Sequence, residues 1–301
     1  MTIIDLFAQS PAIFIGVVFV FSLLVGSFLN VVIYRLPVMM QREWAEQCAE
    51  LEERDVPEQE PFNLVVPRSR CPHCGHAITA LENIPLISWV VLRGKCSNCK
   101  TPISVRYPLV ELGTAILAAV VAWRFGFGIE ALAGILLTYA LVALSMIDVD
   151  HQLLPDSIVL PFLWLGMLLT LARGFEDADV LLIEPAAAIV GAVVGYLSLY
   201  SVATLFRMVT GKVGMGEGDF KLLALFGAWL GVAKLPIIIL LSAGVGSVVG
   251  IAMILFMGRD RQLPIPFGPY LAAAGWLAMV FGDSLLDWYN QTFGITPTPP
   301  L

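Results

Sequence analysis

Leu132-Ala-Gly-Ile-Leu-Leu-Thr-Tyr-Ala-Leu-Val-Ala-Leu-Ser-Met-Ile147 runs without a charge into Asp148-Val-Asp150-His151. That junction decides the fold. An apolar run of nearly membrane-spanning length that stops at a carboxylate reads as a helix meeting an interface. Further along, Gly214-Met-Gly216-Glu-Gly218-Asp219-Phe220 puts a second carboxylate at the mouth of another apolar run. Carboxylates beside a bilayer are energetically unfavourable, which makes Asp148 and Asp219 functional candidates. Two that share a proton are the minimum equipment for activating water in acid-protease chemistry.

The rest of the chain agrees. Of its 301 residues, 58% are hydrophobic and 14% charged, a composition that excludes an ordinary soluble globule. The net charge of −7, with no basic block, gives no footing for nucleic acid. A span needs about 20 apolar residues. Six runs qualify: 6–34, 132–147, 157–172, 185–206, 235–258 and 263–282. Two weaker ones are 107–129, interrupted by Glu111 and Arg124, and 222–233, between Lys221 and Lys234, where long basic side chains snorkel to the interface. The fold class expected is an all-α polytopic membrane protein in the lipid bilayer, with about eight spans.

Loop charge orients them. With the N-terminus outside, all of the 17 Lys and Arg except Arg124, Arg173 and Lys234 fall on the cytosolic side. Both termini are then expected outside. Met-Thr-Ile-Ile-Asp has no basic n-region, and the first apolar run leads to Asn30 and Arg35 without a small-residue cleavage pattern, so the first span is expected to be retained.

Three parts are expected: a first span at 1–35, a cytosolic domain at 36–106 and a membrane core at 107–301. The middle segment carries all five cysteines. Its first half, 41–60, is expected to begin as a short amphipathic helix ended by Pro57 and Pro61. Then come Cys71-Pro-His-Cys74 and Cys96-Ser-Asn-Cys99, with residues 75–95 between them. Two such knuckles, the first followed by Gly75 for a tight turn, read as a tetrahedral four-cysteine site for one structural Zn2+. A pair of disulfides is disfavoured on the reducing side of a membrane. His73 and His76 are spare ligands, and Cys48 reads as a free thiol. Such a small domain needs the metal for folding energy.

By the same topology Asp148 and Asp219 lie at one membrane face. Gly214, Gly216 and Gly218 lack Cβ atoms, so an extended substrate could approach that loop. Asp156 reads as an N-cap for the run that follows it, and His151 as a hydrogen-bonding neighbour. The glycine loop is no phosphate cradle, because no strand precedes it and its spacing is not G-x-G-x-x-G.

Taken in order, Gly26-Ser-Phe-Leu-Asn30-Val-Val-Ile-Tyr-Arg35, the two cysteine pairs, Asn83-Ile-Pro-Leu-Ile-Ser88, Arg106-Tyr-Pro-Leu-Val-Glu111, Ile147–Asp156, Gly216–Lys221 and Pro264–Tyr270 resemble the type IV prepilin peptidases. The resemblance covers nearly the whole chain. It implies the inner membrane of a bacterium and cleavage of a prepilin or pseudopilin leader after glycine at the cytosolic face. Asp148 and Asp219 are implied as the catalytic pair. The new N-terminal amine is then methylated from S-adenosylmethionine. No Rossmann-like unit is present, so a cofactor site has to come from the cytosolic domain and nearby helix ends; Gly26, Asn30, Arg35, Glu82, Asn83 and Glu111 are the candidates. Arg35 also reads as a positive-inside anchor, and Glu111 as a partner for Arg106. A peptidase without methyltransferase activity is one alternative. A proton- or metal-coupled transporter is another, but it calls for ionisable groups at the bilayer midplane.

Overall fold

The computed structural model describes residues 2–54, 60–171, 181, 183–257 and 265–293. Pro57, Ala172, Arg173, Gly258, Leu263 and Pro264, which enter the expectations above, lie outside them. The described residues form ten α-helices and no strand, and the chain divides into two compact units, 1–143 and 144–301.

In the first unit α1 (Ile3–Gln9) opens with a capping box, Thr2 Oγ1 accepting from Asp5 N and Asp5 from Thr2 N. The first span, α2 (Pro11–Leu51), is 41 residues long. It continues through Pro37 and takes up the stretch expected to begin a separate amphipathic helix at 41. The expected stop at Pro57 and Pro61 therefore comes after a helix that has already ended at Leu51. α3 (Ile87–Val91) is a single short turn, and α4 (Arg106–Phe125) packs along α2. Gly26 makes that packing close: a Cβ there would stand 2.7 Å from Glu111 Cα. Elsewhere in the unit, Phe7, Phe14 and Phe127 cluster with ring centroids 5.4–5.8 Å apart. The Ser22 and Tyr139 hydroxyls hydrogen-bond at 2.6 Å, the latter on α5 (Ile129–His151), whose C-terminal end belongs to the second unit.

The second unit is built around α8 (Glu217–Leu230), which packs against α6 (Asp156–Leu169), α7 (Pro185–Thr210), α9 (Leu235–Met257) and α10 (Gly268–Phe293). From Leu222 to Leu230 every residue of α8 is buried. A helix apolar all round seeks such a central place. Gly191 of α7 and Gly227 of α8 bring the two backbones together so closely that neither position has room for a side chain. Trp229 is fully buried and donates its Nε1–H to Phe162 O of α6 at 2.7 Å.

Among the described residues, six helices are long and apolar enough to cross a membrane: α2, α4, α5, α7, α9 with the turn before it, and α10. α6 and α8 have 14 residues each, about 21 Å of helix against a hydrocarbon core of about 30 Å. They complete the expected eight apolar helices, although neither is long enough alone.

Candidate functional site

Asp148 lies in the last turn of α5 and Asp219 in the first turn of α8; both are buried in the second unit, 5% and 8% exposed. The Gly268 N–H donates to Asp148 Oδ2 at 3.0 Å, and Gly268 is the first residue of α10. Asp219 sits three residues past Gly216, the N-cap of α8. Asp148 thus takes an amide from the first turn of α10, and Asp219 lies in the first turn of α8. They share one corner of the unit: Leu154 lies against both Gly218, next to Asp219, and Gly268, whose amide holds Asp148. Such a pair can hold a water and pass protons to and from it.

The turn leaving Asp148 differs from its expected form. Pro155, not Asp156, occupies the N-cap of α6. Asp156 instead pairs with Lys221, whose Nζ donates to its two oxygens at 2.9 and 2.7 Å. The glycines of the 214–218 loop are also only partly as expected. A Cβ on Gly214 would meet the Phe206 ring, and one on Gly218 the Leu154 side chain. Only Gly216 stands open, with Asp219 Oδ2 3.9 Å from where its Cβ would be.

In the first unit, the Sγ atoms of Cys71, Cys74, Cys96 and Cys99 lie within 4.8 Å of one another, Cys71 and Cys99 at 3.8 Å. Four sulfurs about 2.3 Å from a tetrahedral zinc would stand about 3.8 Å apart. The donor set thus fits such an ion. The two knuckles are built alike. Cys71 N donates to His76 O and Gly75 N to Cys71 O; Cys96 N donates to Thr101 O and Lys100 N to Cys96 O. Gly75 and Lys100 take the same positive φ, +71° and +61°. Hydrogen bonding to the Thr101 side chain, then to its backbone, pulls the Cys99 thiol down to about 6, favouring the thiolate a metal needs. His76 Nε2 faces Glu82 at 3.3 Å instead of joining the cysteines. Hydrogen bonds from Ser97, foremost, and Thr79 hold the Glu82 carboxyl at about 2.

The remaining candidates have structural partners. Asn30 Nδ2 donates to Gly26 O and Tyr107 O at 3.3 and 3.2 Å. Arg35, buried, donates to Asn63 O at 2.8 Å and Pro67 O at 2.6 Å and lies over the Phe62 ring. It clamps the start of the cysteine-bearing segment. Glu111 accepts from Leu86 N at 2.9 Å, where Arg106 had been the expected partner. Leu86 is held at φ 59°, ψ −51°, a conformation that costs a non-glycine residue about 1–3 kcal/mol. Asn83 lies in a short 3-10 turn at 81–83. Gly26 has no room for a side chain, a Cβ there standing 2.7 Å from Glu111 Cα. Gly268, Leu154 and Lys221 went unmarked in the sequence as partners of the aspartates, although all lie in or beside the quoted motifs.

A many-spanned helical protein with a buried carboxylate pair at two helix ends and a four-thiol cluster defines a class of membrane aspartic peptidase. Residues 20–125 match the bacterial peptidase A24 N-terminal domain and 135–251 the type IV leader peptidase family. The chain is 56% identical to a prepilin leader peptidase/N-methyltransferase of Stutzerimonas stutzeri, over 97% of this chain and 99% of that protein. It is 52% identical to the proteins of that name from Aeromonas hydrophila (94% and 96%) and Pseudomonas aeruginosa (98% and 99%). No solved structure matches it. The chain belongs to the type IV leader peptidase family.

Proposed function

We propose that this chain removes the leader from type IV prepilins or type II secretion pseudopilins and methylates the new N-terminus, and that Asp148 and Asp219 carry the hydrolysis. The observation that carries this reading is the placement of the two carboxylates, both buried at helix ends, in a chain so similar to prepilin leader peptidases. One aspartate, ionised, takes a proton from a water held between them. The other, protonated, donates to the scissile carbonyl as the tetrahedral intermediate forms. Collapse of that intermediate releases the leader's carboxylate and the new amine. No covalent enzyme intermediate is required.

The division into a first span at 1–35, a cytosolic domain at 36–106 and a protease core at 107–301 is supported by charge and cysteine distribution. The protein sits in a bacterial inner membrane with both termini periplasmic, as the distribution of Lys and Arg supports. Cleavage follows a glycine at the cytosolic face, and the apolar substrate helix enters from the bilayer. Cys71, Cys74, Cys96 and Cys99 hold one structural zinc, supported by their mutual spacing. S-adenosylmethionine supplies the methyl group. Gly26, Asn30, Arg35, Glu82, Asn83 and Glu111 are the residues that bind it.

The test is mass spectrometry of a prepilin incubated with purified protein, with and without S-adenosylmethionine. Leader loss together with a cofactor-dependent gain of one methyl on the new N-terminus is expected. Leader loss alone would leave a peptidase without methyl transfer. An intact substrate, across prepilins from several systems, would overturn the reading.

A further inference from the structure

We propose that Leu154 is a positioning residue for the hydrolysis, a spacer that sets the separation of the two carboxylates. The inference rests on the function proposed above. Leu154 follows α5 in the turn after Asp148 and is 8% exposed. Its side chain separates two glycines. A Cβ on Gly218 would come within 2.8 Å of Leu154 Cβ and 3.2 Å of Cδ1; a Cβ on Gly268 would come within 3.1 Å of Cδ2. Gly218 precedes Asp219 in the chain, and Gly268 donates to Asp148 at 3.0 Å. One leucine therefore touches the backbone that carries one carboxylate and the backbone that binds the other.

The residue type suits the task. Leucine branches at Cγ, so one methyl bears on each glycine, and both glycines let the backbone approach without an intervening side chain. A smaller residue would leave the starts of α8 and α10 without their common stop. Proton sharing between carboxylates depends steeply on their separation. Small displacements in a reacting geometry cost about 10²-fold in rate. The other ionisable groups on these segments are Asp150, His151, Asp156, Glu217 and Lys221. Asp156 and Lys221 neutralise each other.

The test compares wild type with Leu154→Ala and the volume-conserving Leu154→Met. It reads kcat, KM and the pH–rate profile of prepilin cleavage, and the melting temperature. Carbodiimide labelling of Asp148 and Asp219 against pH, read by peptide mass spectrometry, follows the carboxylates without turnover. Leu154→Ala is expected to lower kcat about 10²-fold with KM within twofold, and to shift the acid limb of the profile and the labelling midpoints. Leu154→Met is expected to stay within about fivefold of wild type. If Leu154→Ala fails to fold, labelling midpoints in Leu154→Met and Leu154→Val decide: unchanged midpoints in both overturn the proposal. So does an activity loss in Leu154→Ala that only follows the folded fraction, with the pH profile unmoved. A wild type that cleaves no prepilin strikes the function itself, whereas normal cleavage by Leu154→Ala strikes the spacer alone.

Discussion

Lys221 on α8 and Asp156 at the start of α6 form a two-pronged ion pair, 2.9 and 2.7 Å, across 65 residues of sequence. It joins the turn that follows Asp148 to the helix that begins beside Asp219. The pair is partly open, with side-chain exposures of 26% and 51%, so water screens it and its share of stability is about 0.2–1 kcal/mol. A double-mutant cycle of Asp156→Asn and Lys221→Met on thermal stability in detergent is expected to return a coupling in that range. Activity of either single variant is expected to fall less than about tenfold. A coupling above about 2 kcal/mol would mean that the pair is shielded from water.

Gly26 tests the packing of α2 on α4. The two nearest atoms are backbone, Glu111 Cα at 2.7 Å and Glu111 O at 3.2 Å from a Cβ, and backbone cannot turn aside as a flexible side chain would. Gly26→Ala is expected to force the helices apart and cost about 1–3 kcal/mol, the usual range for overpacking. Thermal denaturation of the purified variant checks this; an unchanged midpoint would show that the contact gives freely.

Much of the architecture was legible because spans and thiol knuckles are local signals. A run of apolar residues announces a helix, and C-x2-C announces a metal turn wherever the partner knuckle lies. The errors share a cause. Asp156 carries every local mark of an N-cap, but it pairs instead with Lys221, 65 residues on. The stretch from 41 onwards was expected to begin a separate helix, whereas α2 continues through it to Leu51, with Arg35 bound to Asn63 and Pro67. The weak run 222–233 is a central helix wrapped by protein, so span length misjudges it. The Gly268 amide stands 120 residues from Asp148, and no spacing rule reaches that far.

The thiol cluster should lose its metal as pH falls. Before any metal is bound the Cys99 thiol is already lowered from 9.0 to about 6, and a coordinated ion holds its thiolate to still lower pH. Hydrogen bonding to Thr101 is the first cause, and Thr101→Val is expected to move zinc release to higher pH. A chromogenic chelator read as pH is lowered checks the shift. Cys71→Ser and Cys96→Ser are expected to lower bound zinc well below one per chain and to open residues 70–102 to protease. Full zinc in both variants would exclude the four-thiolate site.

The central claim is that Asp148 and Asp219 together perform the hydrolysis. Its most direct measurement is prepilin cleavage by purified Asp148→Asn and Asp219→Asn, with zinc content and melting temperature read on the same samples. Each variant is expected to insert, fold and hold its zinc while cleavage falls at least about 10²–10⁴-fold. Near wild-type cleavage by either would contradict the account and move the chemistry to other residues.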